Sequence, residues 1–389
     1  MKLILHIGMS KTGTTSLQES LYINKETLLN KGFWFVQTGG TRNNVGLVAR
    51  CMCNERTDGI LTRYDVKGVN DKLKLNEQIT KEFELEIDSI PDNVHTVIIS
   101  SEYFHSQTSS SEEIKEVYEF FRRYFDSVEL VCYIRDQAQR CVSLYSTALK
   151  EGAYRYPLSS LLKTCVPSNK YYNYTVSLKL WSDWFGVSNI KVRVFDSNKL
   201  MFGDLLKDFY ITIGADDVYS SLRFSLNKNE SFNSVGQLEC RFLNMLAYNT
   251  DDKPTTEPIR LSIVDEIIEA NPGKGDDVTQ QEYDEIYFSF EESNSELKDL
   301  FISNEKECFK HRKIKNNVGS SIDNITHTQL NELSIVATKF MNRVIESRVD
   351  KSLTDYIRSN KTNIYEDIAK LVNRFCKGLK HKFKTLSRM

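Results

Sequence analysis

Proline and glycine are scarce in this chain, with 6 Pro and 17 Gly among 389 residues. That scarcity excludes collagen-like, low-complexity and disordered classes. A dominant charge is also missing: 51 Lys+Arg stand against 53 Asp+Glu, a formal net charge of -2. No global field draws in a polyanion, so no nucleic-acid partner is expected and any anion needs a local site. None of the eight cysteines, at 51, 53, 132, 141, 165, 240, 308 and 376, forms a CxxC pair. No second Cys/His pair follows Cys51 and Cys53 at ligand spacing, so no metal site is expected and the cysteines read as reduced thiols. Runs of about twenty apolar residues are absent, and MKLILHIG is too short for a signal-peptide core. These absences together lead us to expect a cytoplasmic, soluble protein.

What is present is 40% apolar, 11% aromatic and 27% charged residues, the balance of a folded and rather helical protein. The length exceeds what one core organises, so two domains, or one with large additions, are expected. Leu3 to Ile7 is a short apolar run ending in a glycine-containing turn, and Leu17, Leu21, Leu28 and Leu29 follow at near-helical spacing. FWFVQT at 33–38, VHTVIIS at 94–100, VELVCYI at 128–134 and residues 190–195 read as further strands. Helices are expected between them: after the serines at 109–111, over 136–152 closed by Gly152, over 174–185 and over 204–213. The polar stretch from Gly39 to Asn76 shows little apolar rhythm and reads as a cover or lining. Alternating strands and helices imply an α/β fold, a parallel β-sheet flanked by helices. From about residue 230 the pattern is helical only, ending in amphipathic helices over 326–349 and from about 365, the second with a basic end.

Ligands of an open parallel sheet bind at the carboxyl ends of its strands, which directs attention to the loop GMSKTGTTS at 8–16. Gly8 and Gly13 have the gap of GxxxxGK[ST], yet Thr14 stands where a nucleotide triphosphatase has lysine, and the lysine is Lys11. Backbone N–H groups at a helix N-terminus still hold a phosphate, but the β/γ-phosphate grip of a kinase is missing. A second feature is YIRDQAQRCVSLY, where Arg135 ends a strand and Ser143 lies eight positions on. A guanidinium and a hydroxyl there could share one phosphate. Read singly, each has a plain alternative: a tight turn at the glycines, and a surface ion pair for Arg135.

LHIGMSKTGTTSLQ followed by YIRDxxxxxxSxY resembles the sulfotransferases that use 3′-phosphoadenosine 5′-phosphosulfate, in their bacterial and carbohydrate-type branch. SSEYF at 100–104, the run from 180 to 214, and NESFNSVGQLECRFLN at 229–244 fit the same family. The resemblance covers residues 1–305, as a sheet core over 1–215 and a helical acceptor-side part over 230–305, and leaves 306–389 as a helical extension. It implies a P-loop NTPase-like sulfotransferase fold in which Lys11, Thr12, Gly13, Thr14, Thr15 and Ser16 hold the 5′-phosphosulfate, while Arg135 and Ser143 hold the 3′-phosphate. No metal is implied. The family's further contact to the 3′-phosphate has only GKG at 273–275 as a candidate here.

Sulfonyl transfer needs a cation for the leaving oxygen and a base for the acceptor hydroxyl. Lys11 suits the first. Glu102, just past the strand ending at Ser100, stands where the family places a catalytic Glu or His, and His105 competes through its ordinary pKa near 6.5. Glu102 has a structural alternative, pairing with a nearby Arg or Lys, and His6 reads as a core histidine. The acceptor implied by the branch is a glycan hydroxyl, with Tyr154, Tyr156, Tyr171, Tyr172 and Tyr174 suited to stacking on sugar rings. The rival functions are a P-loop kinase and a noncatalytic glycan- or nucleotide-binding protein. The tail carries Arg374, Lys377, Lys380, Lys382, Lys384 and Arg388 interleaved with Phe375, Leu379, Phe383 and Leu386. Peripheral contact with an anionic membrane and a merely solvated terminus are both open for it.

Overall fold

The structure, a computed structural model, describes residues 1–108, 110–223, 231–250, 253–302, 306–314 and 326–348. The expected helix beyond residue 365, Cys376 and the basic tail at 374–388 lie outside the described residues.

The first strand, β1 (Lys2–Gly8), carries Leu3, Ile4, Leu5 and Ile7 with no exposed surface. A run buried on both faces belongs in the middle of a parallel sheet. After β1 come α1 (Thr14–Ile23), α2 (Lys25–Leu29) and β2 (Phe33–Phe35), then α3 (Val45–Cys51), a 3₁₀ turn over Gly59–Tyr64, and α4 (Val69–Asp88). The chain continues with β3 (Thr96–Ser100), α5 (Tyr103–Gln107), α6 (Ser111–Phe121) and β4 (Ser127–Ile134). Next are α7 (Gln137–Lys150), α8 (Leu158–Leu162), α9 (Tyr174–Phe185), β5 (Ile190–Val194), α10 (Leu205–Thr212) and α11 (Asp216–Tyr219). The remaining described helices are α12 (Ser234–Tyr248), α13 (Lys253–Ala270), α14 (Gln280–Ser289), α15 (Glu291–Phe301) and α16 (His327–Arg348).

The five strands form one parallel sheet in the order β2-β3-β1-β4-β5, with Leu5 paired to Ile99 on one side and to Leu130 on the other. Side chains alternate across it. Leu3, Leu5 and Ile7 join α3, α6 and α9 in one apolar cluster, whereas Ile4 joins Leu17 and Leu21 of α1 and Phe209 and Tyr210 of α10 in another. Each buried Leu or Ile contributes roughly 2 kcal/mol of transfer free energy. Expected helix starts carry their caps: Ser110 Oγ accepts from Glu113 N at 3.2 Å, and Asp204 Oδ1 accepts from Lys207 N at 2.8 Å. The fold class expected from the sequence is the one observed.

The stretch from Gly39 to Asn76 is more ordered than its composition suggests. In α3 every residue from Gly46 to Cys51 is buried, so the helix has no polar face and shows no amphipathic rhythm. The chain divides into two compact units, one of Met1–Arg140, Cys165–Asn227 and Asp284–Arg312, the other of Cys141–Thr164, Lys228–Tyr283 and Lys313–Met389. The first holds the whole sheet. In the second, α12, α13 and α16 pack on one another. There Asn244 donates to the Leu149 and Tyr154 carbonyls at 2.8 Å each, and Arg260 Nη1 to the Lys150 carbonyl at 2.9 Å.

Candidate active site

The sheet order sends the chain from β1 outward to β2 and later across to β4, so the carboxyl end of β1 is a topological switch point. That is where an open α/β sheet binds its ligand. Gly8 ends β1 at φ 84°, and Gly13 precedes α1 at φ 82° as its left-handed N-cap. A Cβ on Gly8 would lie 2.4 Å from Glu102 Cα, and one on Gly13 would lie 2.2 Å from Leu205 Cδ2. The backbone path therefore needs glycine at both ends. Between them Lys11 also adopts a positive φ of 71°.

Side chains take up the loop's carbonyls one after another. Thr12 Oγ1 donates to the Met9 carbonyl at 2.6 Å, Arg140 Nε to the Ser10 carbonyl at 3.2 Å, and Arg135 Nη1 to the Lys11 carbonyl at 3.2 Å. A trans peptide points its N–H opposite to its C=O. The N–H groups of Ser10, Lys11 and Thr12 are thus turned away from the protein side chains that hold the carbonyls. At α1 the N-cap Gly13 supplies no side-chain hydrogen bond, so the first-turn N–H groups have no cap from it. Successive N–H groups turned from these side chains and leading into a helix start are the kind of element that binds an anion. Thr14 is buried and Thr15 and Ser16 are exposed on the first turn of α1.

Arg135 leaves β4 half-buried, with its guanidinium 5.6 Å from the Phe195 ring centroid and its own carbonyl accepting from Tyr174 Oη at 2.6 Å. Its hydrogen bond to Lys11 brings the two phosphate motifs of the sequence together. Burial lowers its pKa, so the guanidinium gains from any anion that reaches it. Ser143 lies half-buried within α7 and its carbonyl accepts from Thr147 Oγ1 at 3.4 Å. Lys274, the basic residue of GKG, is engaged with Asp277 at 2.6 Å.

On the β3 side Glu102 packs its backbone on Gly8. Its Oε2 accepts from Gln18 Nε2 at 2.9 Å and from Asn43 Nδ2 at 3.1 Å, and Asn43 Oδ1 in turn accepts from Ser101 Oγ at 2.6 Å. Among the described residues both donors to Glu102 are amides rather than a cation. His105 is placed differently. It is buried, and neither Nδ1 nor Nε2 has a hydrogen-bond partner among the described residues. Burial first, and the Arg140 charge second, lower its pKa from 6.5 to about 3. The ring is neutral at physiological pH and a weaker proton acceptor than its ordinary value suggests. His6 is a core histidine, its Nδ1 2.8 Å from Ser100 Oγ and its pKa lowered by burial to about 3.

The tyrosines divide. Tyr172 and Tyr174 are buried, so they do not offer faces to a sugar. Tyr171 is half-buried, with its ring centroid 4.0 Å from Arg140 Cζ and its hydroxyl bonded to Ser10 Oγ. Tyr154 and Tyr156 meet edge to face at 5.8 Å in the second unit. Sequence reasoning did not single out Gln18, Asn43 or Arg140. Asn43 comes from the stretch read as a lining, and Arg140 sits inside the quoted Arg135 to Ser143 segment. Their roles depend on partners 31 or more residues away, which no local pattern reveals. No disulfide joins the seven cysteines among the described residues. No helix among the described residues is long and apolar enough to cross a membrane.

The chain matches no family model. It also matches no curated protein. Among solved structures, the crystal structure of a sulfotransferase from Alicyclobacillus acidocaldarius is similar at a TM-score of 0.33 and 11% identity, over 67% of this chain and 95% of that one. A likeness of that size carries no argument about activity, which rests on the chain's own residues.

Proposed function

We propose that this chain is a sulfotransferase that moves a sulfonate group from 3′-phosphoadenosine 5′-phosphosulfate to a hydroxyl of a glycan acceptor. The observation that carries this reading is the loop from Gly8 to Gly13, whose carbonyls of Met9, Ser10 and Lys11 are taken by Thr12, Arg140 and Arg135, so that the N–H groups of the same peptides point away from those side chains ahead of α1. The donor chemistry fits these residues: a 5′-phosphosulfate for the loop, and a separate 3′-phosphate for Arg135. Thr14 in place of the P-loop lysine speaks against a kinase. A carboxylate fixed by two amides beside the loop speaks against a purely binding role.

In the reaction the acceptor oxygen attacks sulfur in line, the bond from sulfur to the bridging oxygen breaks, and the bisphosphate leaves. Glu102 accepts the acceptor's proton, held in place by Gln18 and Asn43. Lys11 stabilises the charge growing on the bridging oxygen. Positioning and charge supply the catalysis, as in phosphoryl transfer.

The test is transfer of labelled sulfonate from the donor to a glycan panel. Glu102→Gln should lower kcat by about 10²-fold or more with little change in binding of the spent bisphosphate, because it removes a base without altering shape. Lys11→Ala should lower kcat by about 10²-fold. Full activity in Glu102→Gln contradicts the assignment of the base, and absence of transfer to every acceptor despite donor binding contradicts the glycan.

A further inference from the structure

Arg140 is a fully buried arginine to which neither the sequence motifs nor the reaction gives a part. It lies on α7 one turn past Asp136, with no exposed surface. Three of its nitrogens have protein partners, and all of those partners are neutral: Nε donates to the Ser10 carbonyl at 3.2 Å, Nη2 to Ser10 Oγ at 3.4 Å, and Nη1 to the Tyr171 carbonyl. Around the guanidinium stand three rings, with centroids at 4.0 Å for Tyr171, 5.4 Å for Tyr174 and 5.7 Å for Tyr172. The neighbouring imidazole of His105 is neutral. Among these partners no carboxylate neutralises the charge. Burial works against this charge, and the tyrosine hydroxyls around it outweigh burial, so the guanidinium is held charged by dipoles rather than by a counter-ion. An anion that binds close by adds the counter-charge these partners do not supply.

We propose that Arg140 is a positioning residue for the 5′-phosphate end of the donor, an inference that rests on the proposed sulfotransferase reading. Two effects act together. Its fork fixes the Ser10 carbonyl and so turns the Lys11 N–H away from it, and its charge lies behind the loop where the 5′ anion binds. Arg135 holds the next carbonyl along, that of Lys11, and serves the 3′-phosphate. The two arginines therefore divide the two ends of one nucleotide.

The test uses the full chain and two ligands differing only by the 5′-phosphate: adenosine 3′,5′-bisphosphate and adenosine 3′-phosphate. Their affinity ratio in the wild type measures what the 5′-phosphate contributes. In Arg140→Met the ratio should shrink about tenfold, with affinity for adenosine 3′-phosphate kept within about twofold. Arg140→Lys keeps a buried cation but lacks the fork, and should shrink the ratio by about threefold. That second variant decides the matter if Arg140→Met does not fold. A role confined to holding the fold would weaken both ligands alike. Equal weakening, or an unchanged ratio, overturns the proposal. If the folded wild type binds neither ligand, the sulfotransferase reading fails and takes this inference with it, a result distinct from binding that is indifferent to Arg140.

Discussion

Gly8 and Gly13 share the same left-handed backbone, but a methyl group would meet different neighbours at the two positions. At Gly8 it meets the Glu102 backbone at 2.4 Å, which cannot move without shifting the carboxylate; at Gly13 it meets the tip of Leu205, a flexible side chain. Gly8→Ala should therefore cost about 3 kcal/mol, from left-handed strain plus overpacking, and Gly13→Ala about 1 kcal/mol less or better. Denaturant unfolding of the two variants checks the order, and equal losses would mean that the contact with Glu102 relaxes freely. At this scale the sequence points to Lys11 and Arg135 through their two motifs, and to Glu102 only through the resemblance to a family. The distinction between Glu102 and His105 was not legible, because it depends on burial. One ring lies beside Arg140 without a hydrogen-bond partner among the described residues, whereas the carboxylate is held by Gln18 and Asn43.

At the scale of elements, strands were readable wherever both faces are buried, since a continuous apolar run such as Leu3 to Ile7 has few other homes. Helices with one wet face were readable by period, as in α4, where Leu75, Ile79 and Phe83 are buried at every fourth position. The short α3 was not, because all its faces from Gly46 to Cys51 are covered. The loop between β1 and α1 combines what the sequence shows with what it hides. Its glycines and lysine are visible in order, but two of the side chains that take its carbonyls, Arg135 just past β4 and Arg140 of α7, lie more than 120 positions on. Arg135→Lys should accordingly disturb the loop as well as remove a phosphate contact, since a point charge does not reproduce a guanidinium placed between Lys11 and Phe195.

For the molecule as a whole, two buried neutral histidines couple stability to pH. His6 and His105 each have a folded-state pKa lowered from 6.5 to about 3, by burial in both cases and by Arg140 as well for His105. Between those values the unfolded chain binds a proton that the folded chain does not. Stability is therefore full above about pH 6.5 and declines as pH falls toward 3, by about 1.4 kcal/mol per pH unit for each ring. His105→Asn should flatten the decline by one proton's worth in melting curves between pH 6 and pH 4.5. An unchanged slope would mean that His105 is protonated in the fold. The two compact units also show why linear boundaries are hard to read: residues 284–312 return to the sheet-bearing unit after the chain has built α12 and α13 in the other. Contacts made by such a return leave no mark in local composition.

The central claim is a nucleotide site that recognises a 5′ anion on the loop and a 3′-phosphate at Arg135. Calorimetric titration with 3′-phosphoadenosine 5′-phosphate, beside ATP with magnesium, in the wild type and in Arg135→Ala, tests it most directly. The account predicts binding of the bisphosphate in preference to ATP, and a loss of at least about tenfold in Arg135→Ala. Preference for ATP, or binding indifferent to Arg135, would contradict it.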